Sequence, residues 1–508
     1  MARPVESISS NSTGLFVCEE VTPGVTPNPA VWTEQEPNSY DNFGAELKTV
    51  QRMPINANRR NKKGTVVGYT AGAGYETDLT AENLRDPMQG FFFSDARRKS
   101  EVIASAVTED GFTVPAGGAA YVAGTLIAAQ GSTLGVNNGL HVAAAGSTGV
   151  NVAVDDLTPV AGQSIRLTRA GIEFAAGDAA INVGGPLPAL TTTAFDLTTL
   201  GLIPGEIVYL GGDDVSETFG AAARGWCRVK SIAAHSLVFD KTDFAFQAAN
   251  GAGKTIRLFF GTVIRDEDQA LQRPRTYSIM RKAGAIDLDA PTVIQAEIVT
   301  RCVANQFKLT VPEEDKVTAS LSFMGSDSKY YQDVDAAFAG STYLTPVEAD
   351  AINSTGDMKR ARMFVYPRNG DDAAPAPLFA VFSEYEITID NQIKENKAVT
   401  RMGTFVSSPG NFQVTGSFTG YFVTLEAMQA VRENADVTFM MAAWKANKGV
   451  ALDLPMVSLS SKGLDVKIND PIMIPIDSSA STGAKYDPNM AHTALMVFFD
   501  YLPDAAND

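Results

Sequence analysis

Residues 306–325 read QFKLTVPEEDKVTASLSFMG, and this stretch decides the fold class. Apolar and polar side chains alternate on both sides of a Pro-Glu-Glu-Asp turn, which predicts a β-hairpin with one buried face. The residues expected on that face are Phe307, Leu309 and Val311, then Val317, Ala319, Leu321 and Phe323. Residues 384–390 (EYEITID) and 412–418 (FQVTGSF) alternate in the same way. The chain is therefore predicted to be mainly β.

Helical patterning is sparse. One predicted helix spans 79–90, with Thr80 as its N-cap and Pro87 ending or distorting it near its end. A second predicted helix spans 424–434, with Thr424 as its N-cap. The fold class is thus mainly β with a few helices.

The composition limits the function. The chain has 508 residues, 45% of them hydrophobic, and a formal net charge of −17. This charge argues against a protein that coats DNA, because duplex binding requires an excess of Lys and Arg, and it suits a surface that repels nucleic acid. Cys18, Cys227 and Cys302 are far apart and form no CxxC, so neither a disulfide framework nor a zinc site is expected.

No catalytic constellation is recognisable. His141, His235 and His492 each stand alone among apolar neighbours, which is typical of structural histidines. We expect no enzyme activity, no cofactor and no metal site. The N-terminus lacks the apolar core of a signal peptide, and the apolar runs are too short to span a bilayer. These features predict a protein made in the cytoplasm that does not insert into a membrane.

The string NGAGKT (250–255) invites comparison with a phosphate-binding loop. Walker A requires a glycine at position 248, where this chain has Ala248, and the motif should open a helix. Here an apolar, β-branched run follows instead. The favoured interpretation is a Gly-rich turn that enters a strand.

Two internal repeats organise the chain. The first lies in the Ala/Gly/Thr-rich region from about 108 to 262, where AGTLI, NGLHV, VNVAV and QSIRL are followed in similar order by PGEIV, RGWCRV, SLVFD and KTIRL. It predicts two small β modules in tandem. The second repeat relates 58–93 to 391–434. Each copy runs as a strand, a loop rich in Asn, Lys and Arg, a second strand and a helix.

The sequence resembles the major tail (tail tube) proteins of long, non-contractile-tailed bacteriophages. The stretches that carry the resemblance are EEVTPGVTPNPAVW (19–32), NRRNKKGTVVGYTAGAGYETDLTAENLRDPMQGFFF (58–93), FKLTVPEEDKVTASLSFMGSDS (307–328), ITIDNQIKENKAVTRMG (387–403) and GNFQVTGSFTGYF (410–422). Together they come from about two-thirds of the chain, at both ends.

The resemblance implies a structural role in the virion tail, assembled in the host cytoplasm. Members of the family form stacked rings whose inner strands join into one β-barrel around a lumen. The implied partners are further copies of the chain, the tape-measure protein and transiting DNA in the lumen, and the tail terminator and tail tip proteins. An acidic lumen would keep DNA from sticking during ejection.

The duplication adds a prediction about stoichiometry and domains. If rings are six-fold and each chain carries two tube units, three chains close a pseudo-six-fold ring; a hexamer of chains is the alternative. The expected domains are 1–107 with 262–345 as a split first tail-tube unit of sandwich or barrel type, 108–185 and 186–261 as inserted β modules, and 346–508 as the second unit. The insertion should lie on the outer surface.

The basic run in residues 58–63 has three interpretations: a contact with another subunit, a solvated loop or a phosphate contact. The run recurs, weaker, as Lys394, Lys397 and Arg401, and the net charge of the chain is strongly negative; both points favour the subunit contact, with the solvated loop second and nucleic acid third. In the family that the sequence resembles, the long loop between the first strands reaches the neighbouring ring. The residues carried over to that role are Arg59, Arg60, Lys62, Lys63, Lys394 and Lys397.

The alternative function is a carbohydrate-binding or other adhesive β protein, such as a phage fibre or decoration protein. The tandem Gly-rich modules would suit that role. An enzyme comes third, because none of the three tryptophans, Trp32, Trp226 and Trp444, pairs with an evident acidic dyad.

Overall fold

The computed structural model describes the chain except for residues 1–7, 9, 54, 56–60, 98–99, 221–222, 286–291, 347–348, 368–372, 380, 401, 423–424, 462 and 508. The described part is mainly β, as predicted, with a few short helices. Its strands form one system of 18 strands, a second of 13 strands and a two-stranded ribbon.

The elements fall into three runs along the chain. The first run contains β1 (Gly14–Glu19), β2 (Val31–Gln35), β3 (Ser39–Arg52), β4 (Lys62–Asp78) and α1 (Arg85–Phe92). The second run contains β5 (Glu101–Thr108), β6 (Gly111–Thr113), β7 (Thr125–Gln130), β8 (Gly139–Val142), β9 (Asn151–Ala153), β10 (Val160–Glu173), β11 (Ala179–Asn182), β12 (Ala189–Thr192), β13 (Ile207–Leu210), β14 (Gly225–Ala233), β15 (Ser236–Thr242), β16 (Ala249–Asn250) and β17 (Arg257–Phe259).

The third run returns to the large strand system. It contains β18 (Thr262–Arg265), β19 (Tyr277–Ala285), β20 (Ile294–Val311), β21 (Thr318–Gly325), β22 (Asp327–Tyr331), α2 (Val334–Ala337), β23 (Thr342–Leu344), β24 (Met358–Val365), β25 (Ala376–Phe379), β26 (Phe382–Asp390), β27 (Lys394–Lys397), β28 (Thr404–Ser408), β29 (Gln413–Tyr421), α3 (Leu425–Arg432), β30 (Val437–Lys445), β31 (Lys448–Ser461), β32 (Met473–Ser481) and β33 (Leu495–Phe499).

The hairpin predicted at 306–325 is confirmed. β20 and β21 pair antiparallel, with Phe307 opposite Leu321 and Leu309 opposite Ala319. All seven residues predicted to share one face are buried. The strands predicted at 384–390 and 412–418 correspond to β26 and β29.

The first predicted helix is shorter than expected. Leu79 N–H still donates to Val317 O at 2.8 Å, and α1 begins only at Arg85, where the first helical hydrogen bond runs from Met88 N–H to Leu84 O at 3.0 Å. The Thr80 hydroxyl does accept the backbone N–H of Asn83, but within a turn that precedes the helix. Pro87 lies in the first turn of α1, where a missing N–H costs nothing. The second helix, α3, agrees with its prediction, although its expected cap Thr424 lies outside the described residues.

The main hydrophobic core lies between two layers of the large strand system. Alternate residues of β4, β20, β21, β26 and β29 enter it from one side, and residues of β24, β30, β31 and β33 enter from the other. α1 adds Phe91 and Phe92 to this core. β20 and β31 are long strands that contribute to both layers. β20 pairs with β19 along its first half and with β21 along its second, and β31 pairs with β30 and then with β32 in the same way.

The region from β5 to β17 forms the 13-stranded system and is inserted between strands of the large one. Its two ends are adjacent, because Arg97 and Val263 exchange backbone hydrogen bonds of 2.7 and 3.2 Å. It contains two hydrophobic clusters, one within 104–167 and one within 172–260, and β10 pairs with strands of both. The domain boundaries expected from the sequence remain predictions.

A third cluster joins this inserted region to the large system. It packs Leu126, Tyr209 and Trp226 against side chains of β24, β30, β31 and β33. Trp226 and Phe499 meet edge to face with centroids 5.5 Å apart. The layer containing β30 and β31 is therefore buried on both faces, by the main core on one side and by the inserted region on the other.

Candidate functional site

Eight strands form one continuous antiparallel sheet that crosses the whole large system. Their order is β3, β4, β21, β20, β26, β29, β32 and β31. One row of facing residues runs through all eight strands: Ser39, Glu76, Ser320, Lys308, Thr388, Thr415, Ser479 and Ser458. Every member of this row is polar. Because neighbours along each strand point to opposite faces, the other face carries the apolar residues of the main core.

This polar face is also mostly acidic. Its acidic strand positions include Asp41, Glu46, Glu76, Asp78, Glu384, Glu386, Asp390 and Asp477, and its basic ones include Lys48 and Lys308. Lys308 forms an ion pair of 2.7 Å with Glu386, between β20 and β26. The remaining positions are largely Ser, Thr and Gly, so the surface is smooth, hydrophilic and negative.

The pairing order repeats within the sheet. In its first half, Tyr40 lies opposite Tyr75, Tyr75 opposite Leu321 and Leu321 opposite Phe307. In its second half, the corresponding row is Tyr385, Phe418, Ile476 and Ser461. A helix follows the second strand of each half, namely α1 and α3. The strands β3, β4, β21 and β20 therefore correspond in order to β26, β29, β32 and β31.

The two halves meet through β20 and β26. Residues Gln306–Val311 of β20 pair antiparallel with Tyr385–Asp390 of β26, so the last strand of one half joins the first strand of the next. The outer ends of the sheet lack such a partner within the described chain. β3 pairs there with β4 alone, and the β31 segment from Ser458 to Ser461 pairs with β32 alone.

The loop residues singled out from the sequence lie at the ends of two hairpins. Arg59 and Arg60 fall outside the described residues. Lys62 and Lys63 are exposed at the start of β4, in the arm formed with β3. Lys394 and Lys397 belong to the β27–β28 hairpin, which leads from β26 to β29.

The β27–β28 hairpin lies against the first half of the same chain. Lys397 Nζ donates to Tyr69 O at 3.2 Å and to Thr70 Oγ1 at 3.3 Å. Tyr69 N–H donates to Met402 O at 3.1 Å. The β27–β28 hairpin of the second half therefore contacts β4 of the first half. A role of Lys394 and Lys397 in contacts between rings stays a prediction.

Sequence reasoning missed a fully buried ionic cluster between the inserted region and the large system. Arg228 forms a bidentate pair with Asp240 at 2.8 and 2.6 Å, and its Nη2 donates to Tyr366 Oη at 2.9 Å. Lys241 Nζ lies 2.7 Å from Asp453 Oδ1, and Arg228 Nη1 lies 3.3 Å from Asp453 Oδ2. Asp240 and Lys241 are adjacent and lie near Arg228 in sequence, but Tyr366 and Asp453 lie 138 and 225 residues from Arg228, so no local pattern could reveal the whole cluster.

Burial and pairing shift the pKa values in this cluster in opposite directions. Burial, together with the positive charge of Arg228, lowers the pKa of Lys241 to about 8. Burial would raise the pKa of Asp453, but Lys241 and Arg228 outweigh that effect and hold its pKa below the usual value. Two cations and two carboxylates balance, which is how charges are tolerated in an interior.

The NGAGKT string serves the architecture of the inserted region. Gly253 has a φ of +71°, and β17 begins shortly afterwards at Arg257. Lys254 Nζ donates to the carbonyl groups of Thr218 and Phe219 at 2.7 and 3.0 Å. The lysine therefore fastens a turn, in agreement with the interpretation favoured by the sequence.

A comparison with protein families identifies the architecture. A family model described as phage tail tube protein matches residues 10–480. The chain belongs to this tail tube protein family. It is therefore a structural protein of the phage virion tail, of a kind that self-assembles into a tube, and the family is not an enzyme family. No curated protein matches the sequence.

The α-helices in the described part of the chain are short. Within the part of the chain that the structure describes, no helix combines the length and the apolar character needed to cross a membrane. The longest α-helices there, α1 and α3, have eight residues each. The tail tube protein is thus organised almost entirely by its sheets.

Proposed function

We propose that this tail tube protein assembles into stacked rings in which the polar face of the eight-stranded sheet lines the lumen. The single observation that carries the proposal is the polar row from Ser39 to Ser458, which crosses all eight strands without an apolar side chain. A sheet with one hydrophilic face and two open ends closes into a barrel when copies join end to end.

The layer order supports this orientation. From the polar face outward, the molecule contains the eight-stranded sheet, the main core, the layer with β30 and β31, and finally the inserted region. If the polar face lines a lumen, the inserted region lies on the outside of the tube. The proposed domain division follows: two tube units, the first of them interrupted by two decorating β modules.

The acidic character of the proposed lumen suits the passage of DNA during ejection. Asp41, Glu384 and Asp477 are exposed on the polar face. Carboxylates repel phosphates, and serine and threonine side chains offer no apolar surface on which bases could stack. A tape-measure protein would occupy the same channel before DNA enters, and tail terminator and tip proteins would cap its ends.

The repeated half suggests the stoichiometry. Three chains supply six halves, which would close a pseudo-six-fold ring; a ring of six chains is the alternative. Assembly would take place in the host cytoplasm. The basic residues at the two hairpins, Lys62, Lys63, Lys394 and Lys397 with Arg59 and Arg60, are proposed to stabilise contacts between subunits of successive rings by charge complementarity.

Electron microscopy of the purified full-length protein tests this function. Stacked rings or tubes with an open channel are expected, and the averaged end view should show six similar wall segments. Discrete particles without a channel under all assembly conditions would instead favour the adhesive or decoration role.

A further inference from the structure

We propose that neighbouring chains join by copying the joint that already exists inside each chain, with the β31 edge at Ser458–Ser461 pairing antiparallel with β3 of a second copy. This inference rests on the proposed ring. The internal joint supplies both the partner and the register, because β31 corresponds to β20 and β3 corresponds to β26.

The register follows from the corresponding rows. Phe307 of β20 corresponds to Ser461 of β31, so Gln306 corresponds to Ser460. Asp390 pairs with Gln413 and Glu46 pairs with Thr70. Gln413 and Thr70 each lie five residues before their aromatic equivalents, Phe418 and Tyr75, so Gln413 corresponds to Thr70. Their strand partners therefore correspond as well, Asp390 of β26 to Glu46 of β3.

One pair of residues then defines the joint between chains. Within a chain, Gln306 lies opposite Asp390. Between chains, Ser460 of one copy should therefore lie opposite Glu46 of the next. Both side chains are exposed in the single chain, and both strand positions belong to the polar face.

The surfaces beside these edges fit a second copy. β3 and β4 extend as a two-stranded arm on which Leu47, Val50 and Val67 are 61%, 52% and 51% exposed. Inside the chain, the β27–β28 hairpin extends from the corresponding position in the second half and lies on the first half. If neighbouring chains repeat this arrangement, the β3–β4 arm lies on the second half of the neighbouring chain. The exposed apolar side chains of the arm would then be covered.

The joint also determines the width of the barrel. Phe307 shares a row with Tyr40 in the first half but faces Ile389 in the second, four residues past Tyr385, the equivalent of Tyr40. Each half is thus four strands wide and staggered by four residues. With about 4.8 Å between strands and about 3.3 Å per residue, the strands tilt by about 35°, which is normal for a barrel.

Six such halves give a closed wall of definite size. Each half covers about 23 Å of circumference at this tilt, so six halves enclose a backbone cylinder about 45 Å in diameter. Twelve halves, as in a ring of six chains, would enclose one about 90 Å wide. An end view with six wall segments, each of them one half of a chain, would therefore mean a ring of three chains whose backbone cylinder is about 45 Å in diameter.

Cysteine cross-linking of assembled tubes tests the register. The variant Ser460→Cys with Glu46→Cys should oxidise to a covalent closed trimer, whereas Ser460→Cys with Lys48→Cys should cross-link at least about tenfold less, because the displaced pair exceeds disulfide reach. Gln306→Cys with Asp390→Cys is the matched control, and its disulfide should form within single chains. Cys18, Cys227 and Cys302 are buried and should contribute little background.

The outcomes separate the joint from the function. Tubes that form normally but cross-link only at the control pair would overturn the proposed joint between chains, while the proposed tube function would stand. Stronger cross-linking of the displaced pair would overturn the register. Failure of the unsubstituted protein to form rings would overturn the proposed function itself. If the double variant does not assemble, the two single variants, Ser460→Cys and Glu46→Cys, are co-assembled in the presence of unsubstituted protein. Covalent dimers are expected when both single variants are present, and not when either one is assembled without the other.

Discussion

Lys241 Nζ lies 2.7 Å from Asp453 Oδ1, and neither side chain reaches solvent. The first residue belongs to the inserted region and the second to β31, so this contact fastens the inserted region to the large strand system. Arg228 shares the same carboxylate. Two buried cations therefore depend on Asp453.

Replacing Asp453 by asparagine should destabilise the protein strongly. The substitution keeps the shape but leaves Lys241 and Arg228 with too little negative charge, which typically costs about 3–5 kcal/mol in an interior. Denaturant unfolding of the full chain measures the loss. Asp436→Asn is the matched control, because Asp436 pairs with Lys485 at the surface and should cost less than about 1 kcal/mol. Equal losses in the two variants would contradict the buried-cluster explanation.

His492 predicts a loss of stability in acid. It is fully buried, and neither of its ring nitrogens has a hydrogen-bond partner among the described residues. Burial lowers its pKa to about 4. Between about pH 6.5 and about pH 4 the unfolded chain therefore binds a proton that the folded chain does not, and folding stability falls as the pH falls.

The size of this effect is on the order of 3 kcal/mol across that window. The variant His492→Leu should remove most of the dependence, because it has no proton to bind. Thermal unfolding midpoints between pH 7 and pH 4 measure it. His235→Gln alters an exposed histidine and should keep the slope of the unsubstituted protein; a His492→Leu variant with an unchanged slope would show that other groups cause the acid sensitivity.

Trp226 is predicted to anchor the inserted region. Its ring packs on Tyr209 and Phe499, and it is 1% exposed. Trp226→Ala should cost about 3–5 kcal/mol and loosen the contact between β14 and β33. Hydrogen exchange should then rise in β33. Phe112→Ala, in the separate first cluster of the inserted region, should raise exchange around β6 and β9 without reaching β33. Protection of β33 that persists in Trp226→Ala would show that the ionic cluster alone maintains the docking.

Local patterns predicted the strands well and their long-range partners poorly. The alternation in 306–325 sufficed for β20 and β21, because a hairpin pairs neighbouring residues. The pairing of Phe307 with Ile389 joins strands far apart in sequence, and only the structure reveals it. The predicted start of α1 was wrong because Pro87 has no N–H to donate to the carbonyl group of Asn83, so the first hydrogen bond of the helix runs from Met88 to Leu84. The acidic net charge was visible from composition, but its distribution over one sheet face depends on the register of eight strands.

Charge reversal on the polar face should impede DNA passage without preventing assembly. Glu384, Asp390 and Asp477 lie on this face and away from the main core. Replacing all three by lysine would repeat a positive band in every ring, and positive bands bind phosphates with a strong dependence on salt. Phage carrying this variant should form tails of normal length but release DNA more slowly in vitro. The rate should recover at high ionic strength, because salt screens the attraction.

The matched control reverses three exposed acidic residues of the inserted region, Glu109, Asp110 and Asp155. If the inserted region lies outside the tube, this control changes the net charge equally and leaves the release rate unchanged. Slow release in the control with normal release in the sheet-face variant would place the inserted region, rather than the polar face, at the channel. The comparison therefore decides which surface of the chain DNA meets, independently of the total charge that each variant carries.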